Sequence, residues 1–167
     1  MKKILTVLLL SICWQLYSQD LGAKHEVKLD LPYILATAAK LEYEQIFSEG
    51  TTFGVSGLYH FNDYYNITYH LLGFYRWYFG KEPISGFFLE ANTGLFGGTY
   101  ESWISKIGFE EKEKVDYTSF GAGVALGWKF VTDTGIVLDV FGGAVRITND
   151  KGPEAFPRLG VCIGKRF

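Results

Sequence analysis

Cysteine is nearly missing from this chain: there are two in 167 residues, Cys13 and Cys162. Cys13 falls in a stretch expected to be removed, so the mature chain keeps only Cys162, and an internal disulfide is excluded even though an exported compartment would permit one. Methionine (1) and proline (4) are also scarce. A basic excess is lacking too, with 16 Lys and Arg against 18 Asp and Glu and a formal net charge of −2, so no nucleic-acid partner is expected. No phosphate-binding glycine loop and no Cys/His metal spacing occur, and no cofactor or metal is expected. No apolar run reaches the ~20 residues that a membrane-crossing helix needs.

What is abundant is glycine (20) with aromatic residues: 14 Phe, 11 Tyr and 4 Trp. That mixture suits a β protein with tight turns and crowded interior positions. Mean hydropathy is close to zero, at +0.08. A membrane β-barrel has this neutrality because lipid-facing and lumen-facing residues alternate along every strand and cancel.

Residues 1–18 read as a cleaved secretory signal peptide. Lys2 and Lys3 open it, an apolar run follows over 4–14, and a polar end leads to Ser18 before Gln19. The run is too short for a membrane anchor, and the bulky Ile12 before Cys13 sits where a lipidation signal wants a small residue. Residues 19–167 then form a single domain.

Along that domain the dominant signal is a period of two. The final stretch shows it well: Leu159, Val161, Ile163, Lys165 and Phe167 fall on one face, and Arg158, Gly160, Cys162, Gly164 and Arg166 on the other. Similar alternation runs over 25–31, 52–61, 67–79, 87–96, 117–130 and 136–147. Residues 36–47 fit a helical stripe and a strand almost equally, and the neighbouring pattern decides for strand. Pro32 ends the first strand or marks an irregular edge. On the seventh strand Asp139 and Arg146 fall on opposite faces unless a bulge at Gly142 and Gly143 resets the phase, which is the expectation here.

Eight strands result, with short connections after the second, fourth and sixth and longer ones after the third, fifth and seventh. The longest, over 101–116, carries the charge run Glu110, Glu111, Lys112, Glu113 and Lys114. Such an order of lengths fits an all-β, eight-stranded antiparallel up-and-down transmembrane β-barrel with both termini on the periplasmic side. One side of its strands is long and aromatic. The other holds Gly121, Gly123, Ala125, Gly127, Gly160 and Gly164, poor cover for a solvent face but good filling for a narrow lumen. The apolar side is therefore expected to meet lipid, and a soluble lipocalin-like binder is the alternative.

The leader, LEYEQ at 41–45, GFYRWYFG at 73–80, SFGAGVALGWKF at 119–130 and RLGVCIGKRF at 158–167 together resemble an uncharacterised family of small bacterial outer-membrane β-barrels, and more distantly the OmpA and OmpX barrels. The resemblance implies location in the outer membrane, outer-membrane lipid as surroundings, and recognition of the last strand by the barrel-assembly machinery through Leu159, Val161, Ile163 and Phe167. It transfers no catalytic residue.

Seven charged residues, Lys40, Glu42, Glu44, Arg76, Glu90, Asp139 and Arg158, are expected to form a paired network inside the lumen in preference to lining a pore. Ser56, His60 and His70 are the pieces from which a lipid-modifying hydrolase could be built, but their spacing does not require them to meet. The acidic residues at 101–116 are interleaved with lysines and read as a solvated loop, not a cation site. The expectation is a monomeric, non-catalytic outer-membrane protein with a structural, adhesive or ligand-interaction role carried by its outer loops.

Overall fold

A computed structural model describes residues 23–62, 67–106, 109–148 and 153–167, with the backbone alone at 101–106 and 109–113. The expected leader at 1–18 lies outside the described residues. Strands β1 (His25–Asp30), β2 (Ala38–Ser48), β3 (Thr51–His60), β4 (Tyr69–Tyr78), β5 (Gly86–Lys106), β6 (Phe109–Val131), β7 (Ile136–Thr148) and β8 (Ala155–Arg166) follow one another around a closed antiparallel barrel. One short helix, α1 (Leu31–Leu35), joins β1 to β2.

The closing seam is β1 against β8, from Glu26 opposite Arg166 to Asp30 opposite Cys162. Below it His25 and Phe167 exchange both backbone hydrogen bonds, at 3.0 and 2.8 Å. The tight connections 49–50, 79–85 and 132–135 lie at the same end of the barrel as this pair, here called the lower rim. Gly135 has φ 77° and its N–H bonds to Thr132 O, the geometry that a tight turn asks of glycine.

Of the stretch 36–47, residues 38–47 are strand, paired with β1 on one side and β3 on the other, while Ala36 and Thr37 form the turn that leaves the helix. The helix comes earlier and is only five residues long, with Pro32 in its first turn, where a missing N–H costs nothing. Residues 101–116 are not an irregular loop. From Gly98 opposite Tyr117 to Lys106 opposite Phe109, β5 and β6 continue to pair with each other alone. β4 has stopped at Tyr69 opposite Gly97, and β7 at Thr148 opposite Phe120. Those nine ladder positions form a two-stranded hairpin that projects about 30 Å past the upper rim at ~3.4 Å per residue.

The bulge expected at Gly142 and Gly143 is absent: β6 and β7 pair without a break from Phe120 opposite Thr148 to Val131 opposite Val137. Asp139 therefore points inward and is buried, while Arg146 points outward and is exposed. Gly143 instead allows close approach, since a Cβ there would run into the backbone of Val124 and Ala125. Arg146 lies two residues from the upper end of β7, where an outward charge is cheap. Ile67, placed by alternation on the outer face with Tyr69, precedes β4 and is buried.

The barrel is apolar outside and polar within. Val55 (50%), Leu71 (58%), Val124 (61%) and Leu159 (55%) are among the large outward side chains left exposed. Inside, the charged residues are buried among two apolar clusters. Towards the upper rim these are Ile67, Leu72, Phe96, Val145 and Ile147; towards the lower rim, Tyr78, Ile84, Phe88, Ala125, Phe141 and Cys162. Ile84 belongs to the connection 79–85 and folds back beneath the lumen, buried despite a left-handed φ of 49°. Inward glycines make the room: a Cβ at Gly127 would strike the Phe88 and Phe141 side chains, and one at Gly54 the Phe74 ring.

Candidate functional site

The polar layer is built by alternation. Glu26, Lys28 and Asp30 on β1, Lys40, Glu42 and Glu44 on β2, Arg76 on β4, Glu90 on β5, Lys129 on β6, Asp139 on β7 and Arg158 on β8 are all buried and inward. A sixth base, Arg166, is partly buried at the lower end and has its guanidinium 2.7 Å from Glu26. Six acids thus face six bases among the described residues. A charge of either sign in excess would be left in low dielectric without compensation, so this balance is what makes the layer tolerable.

Arg76 is the hub. Its Nη1 lies 2.7 Å from Glu44 and 2.8 Å from Asp139, its Nε 2.8 Å from Glu90, and its Nη2 3.2 Å from Glu42. Glu90 is also its cross-strand partner in register. The planar fork of arginine serves several carboxylates at once, which an ammonium cannot do in the same way. The guanidinium also lies 4.4 Å from the Phe74 ring and 4.6 Å from the Phe88 ring, a favourable cation–π setting.

Around the hub each acid has further partners. Glu44 is met by Lys28 and by Lys129 Nζ at 2.8 Å, and it accepts from Thr52 and Tyr78 hydroxyls at 2.5 and 2.9 Å. Asp139 pairs with Lys28 at 2.6 Å. Glu42 and Glu90 share Arg158, each at 2.9 Å. Lys40 pairs with Asp30 at 2.5 Å and sits 3.6 Å from Glu42.

The seven residues singled out by alternation, Lys40, Glu42, Glu44, Arg76, Glu90, Asp139 and Arg158, are therefore brought together in one layer, though Lys40 lies at its edge with Asp30. Glu26, Lys28, Asp30, Lys129 and Arg166 belong to it as well. Their signal was already in the pattern: each has the inward parity of its strand, and the same alternation that selected Glu42 selects them.

Leu159, Val161 and Ile163 lie on the outer face of β8, and Phe167 closes the lower rim against His25, with ring centroids 6.0 Å apart. Cys162 is buried and faces the interior as a free thiol.

Ser56, His60 and His70 do not assemble into a nucleophile–base pair. Ser56 Oγ has no hydrogen-bond partner, nor has either ring nitrogen of His70. The His70 ring is packed against Phe96 and Phe156, at centroid distances of 5.5 and 5.4 Å. Among the described residues no group of three His, Cys, Asp or Glu side chains is placed to hold a metal ion.

No family model and no curated protein matches this chain. The expected kinship with a family of small uncharacterised barrels thus has no family model behind it. Among solved structures, the chain is similar to the N-terminal β-barrel domain of OprF from Pseudomonas aeruginosa, at 14% identity and a TM-score of 0.50, over 87% of this chain and 98% of that one. At that identity the likeness is one of fold alone, that of a closed antiparallel barrel.

Proposed function

We propose that this protein is an integral outer-membrane barrel, monomeric, with a structural, adhesive or ligand-interaction role carried by what projects from its upper rim. The observation that supports this reading most is the inversion of polarity across the wall. Large apolar residues stand outward on every strand described, while twelve charges are paired inside. In water such a surface would be a severe liability, whereas in a bilayer it is the required one. A closed barrel also pairs most of its wall backbone without water, as a hydrocarbon setting demands.

The interior argues against both a pore and a soluble binding cup. Arg76, Phe88, Phe96 and Phe141 occupy it together with the ion pairs, as befits an eight-stranded lumen that is filled by side chains. Activity towards a partner is left to the upper rim, where the β5–β6 hairpin is the largest projection. The expected leader and export, the assembly role of Leu159, Val161, Ile163 and Phe167, and kinship with small bacterial barrels belong to the same reading.

Cell fractionation with heat-modifiable gel mobility tests it. The expected outcome is detergent-dependent recovery with the outer membrane and a boiled band that migrates differently from the unboiled one. Recovery as a detergent-free periplasmic protein would refute it.

A further inference from the structure

The wall is incomplete on one side. β1 has only six residues and ends at Asp30, opposite Cys162. β8 continues upward to Ala155 with β7 on its other edge. The mutual bonds of His25 and Phe167 show that odd-numbered residues of β8 turn their backbone groups towards β1. Above Cys162 those residues are Val161, Leu159 and Pro157, and no strand stands opposite them. β2 is likewise without β1 above Leu41, which pairs with Leu29.

The open edge of β8 is nevertheless partly occupied. Val161 N–H donates to Asp30 Oδ1 at 3.3 Å, and Lys40 Nζ donates to the Leu159 carbonyl at 3.1 Å while pairing with Asp30. Pro157 has no N–H to offer. An edge treated in this way has fewer groups left for an added strand.

Helix α1 touches both β2 and β8 and so bridges the gap. Between the helix and the outer wall lies a groove of about 440 Å³, formed by Pro32, Tyr33 and Ala36 on one side and Val140, Leu159 and Val161 on the other, with the buried Phe141 and Gly160 also lining it. Its volume lies in the ~300–1,000 Å³ range of small-molecule sites. Val140, Leu159 and Val161 belong to the outward apolar band, so the groove is continuous with the face assigned to lipid. Leu31, Ile34 and Leu35 of α1 are exposed on the same apolar exterior.

We propose that this groove holds one acyl chain of a membrane lipid, drawn from the leaflet around the upper half of the barrel. With Val161 N–H and the Leu159 carbonyl already engaged and Pro157 unable to donate, the edge disfavours a peptide strand, the lining is apolar, and the groove opens on the lipid-facing side. This inference rests on the outer-membrane reading.

The test uses the full barrel, refolded into vesicles of phosphatidylethanolamine and phosphatidylglycerol, extracted in mild detergent and weighed intact by native mass spectrometry. The wild type is expected to retain one phospholipid per barrel. Leu159→Trp and, independently, Ala36→Trp fill the groove and are expected to lower retention at least tenfold. Leu95→Trp, on the outer face of β5, is expected to retain lipid as the wild type does. Heat-modifiable mobility establishes that each variant has folded. A folded, vesicle-embedded wild type that retains no phospholipid, or folded groove variants that retain as much as the wild type, would overturn the groove and leave the membrane reading intact. A wild type that does not enter vesicles would overturn the membrane reading itself.

Discussion

Replacing Arg76 with methionine removes one charge from a balanced interior while keeping much of the side chain's length. Four carboxylates lose a partner, but none loses its only one. Glu42 and Glu90 keep Arg158, while Glu44 and Asp139 keep Lys28. Breaking a buried pair by removing one member typically costs about 3–5 kcal/mol, because the other charge is left uncompensated. Here the extra negative charge is shared by four acids, which points to the lower half of that range, with lost cation–π contact to Phe74 and Phe88 adding about 0.5–2 kcal/mol. The expected loss is therefore about 3.5–6 kcal/mol, or roughly two and a half to four and a half decades in the folding equilibrium. Urea titration of the protein folded in vesicles, followed by tryptophan fluorescence and by the fraction with heat-modifiable mobility, measures it. A second substitution separates charge balance from packing. Adding Glu90→Gln to Arg76→Met restores neutrality, so the double variant is expected to be less unstable than the sum of the two singles by about 0.5–3 kcal/mol. An Arg76→Met protein within about 1 kcal/mol of wild type, or strict additivity in the double variant, would refute the reasoning.

Three further outcomes follow from the wall. Gly143→Ala is expected to cost at least about 1–3 kcal/mol in the same titration, because its Cβ meets the β6 backbone, whereas Gly57→Ala, with open space outside it, is expected to be nearly neutral. Val124→Arg, on the outer face in the middle of the barrel stretch of β6, is expected to cost about 2–4 kcal/mol in bilayers, and Thr148→Arg at the upper end of β7 about 0–1 kcal/mol. Equal costs at the two positions would contradict a hydrocarbon environment. Deleting Phe167 is expected to lower the amount of barrel in the outer membrane of cells by several-fold while leaving refolding in vesicles largely unchanged; equal cellular levels would remove the assembly role.

The wall strands and their facing were legible because one side of each is apolar and the other is not. Where that contrast fails, so does the reading. Around Glu110 to Lys114 charges fall at both parities of the sequence, so there is no apolar–polar period to display and the stretch reads as a loop. Helix α1 is a single turn, too short for a 3.6-residue stripe, and Pro32 signalled a strand's end without saying what followed. An inward Arg146 follows only if no charge can stand outside. Its place near the end of β7 removes most of that penalty, and the pairing geometry needed no bulge. Five of the twelve members of the ion layer escape the sequence reading for a different reason. Lys129 and Arg166 sat among glycines, and Glu26 and Lys28 lay on a strand read for its apolar side, so their shared parity was visible but their meeting depended on closure.

The ion layer also bears on the order in which the protein can complete itself. β1 and β2 carry Glu26, Asp30, Glu42 and Glu44 against Lys28 and Lys40, an excess of two acids, and β4 to β8 carry Arg76, Lys129, Arg158 and Arg166 against Glu90 and Asp139, an excess of two bases. The part made first and the part made last are thus oppositely charged, and neither is neutral alone. An unfinished sheet would have to carry unmatched charge into hydrocarbon, so commitment to the bilayer favours the whole chain over any fragment. Arg158 and Arg166, on the final strand, bring the compensation for acids laid down at the beginning.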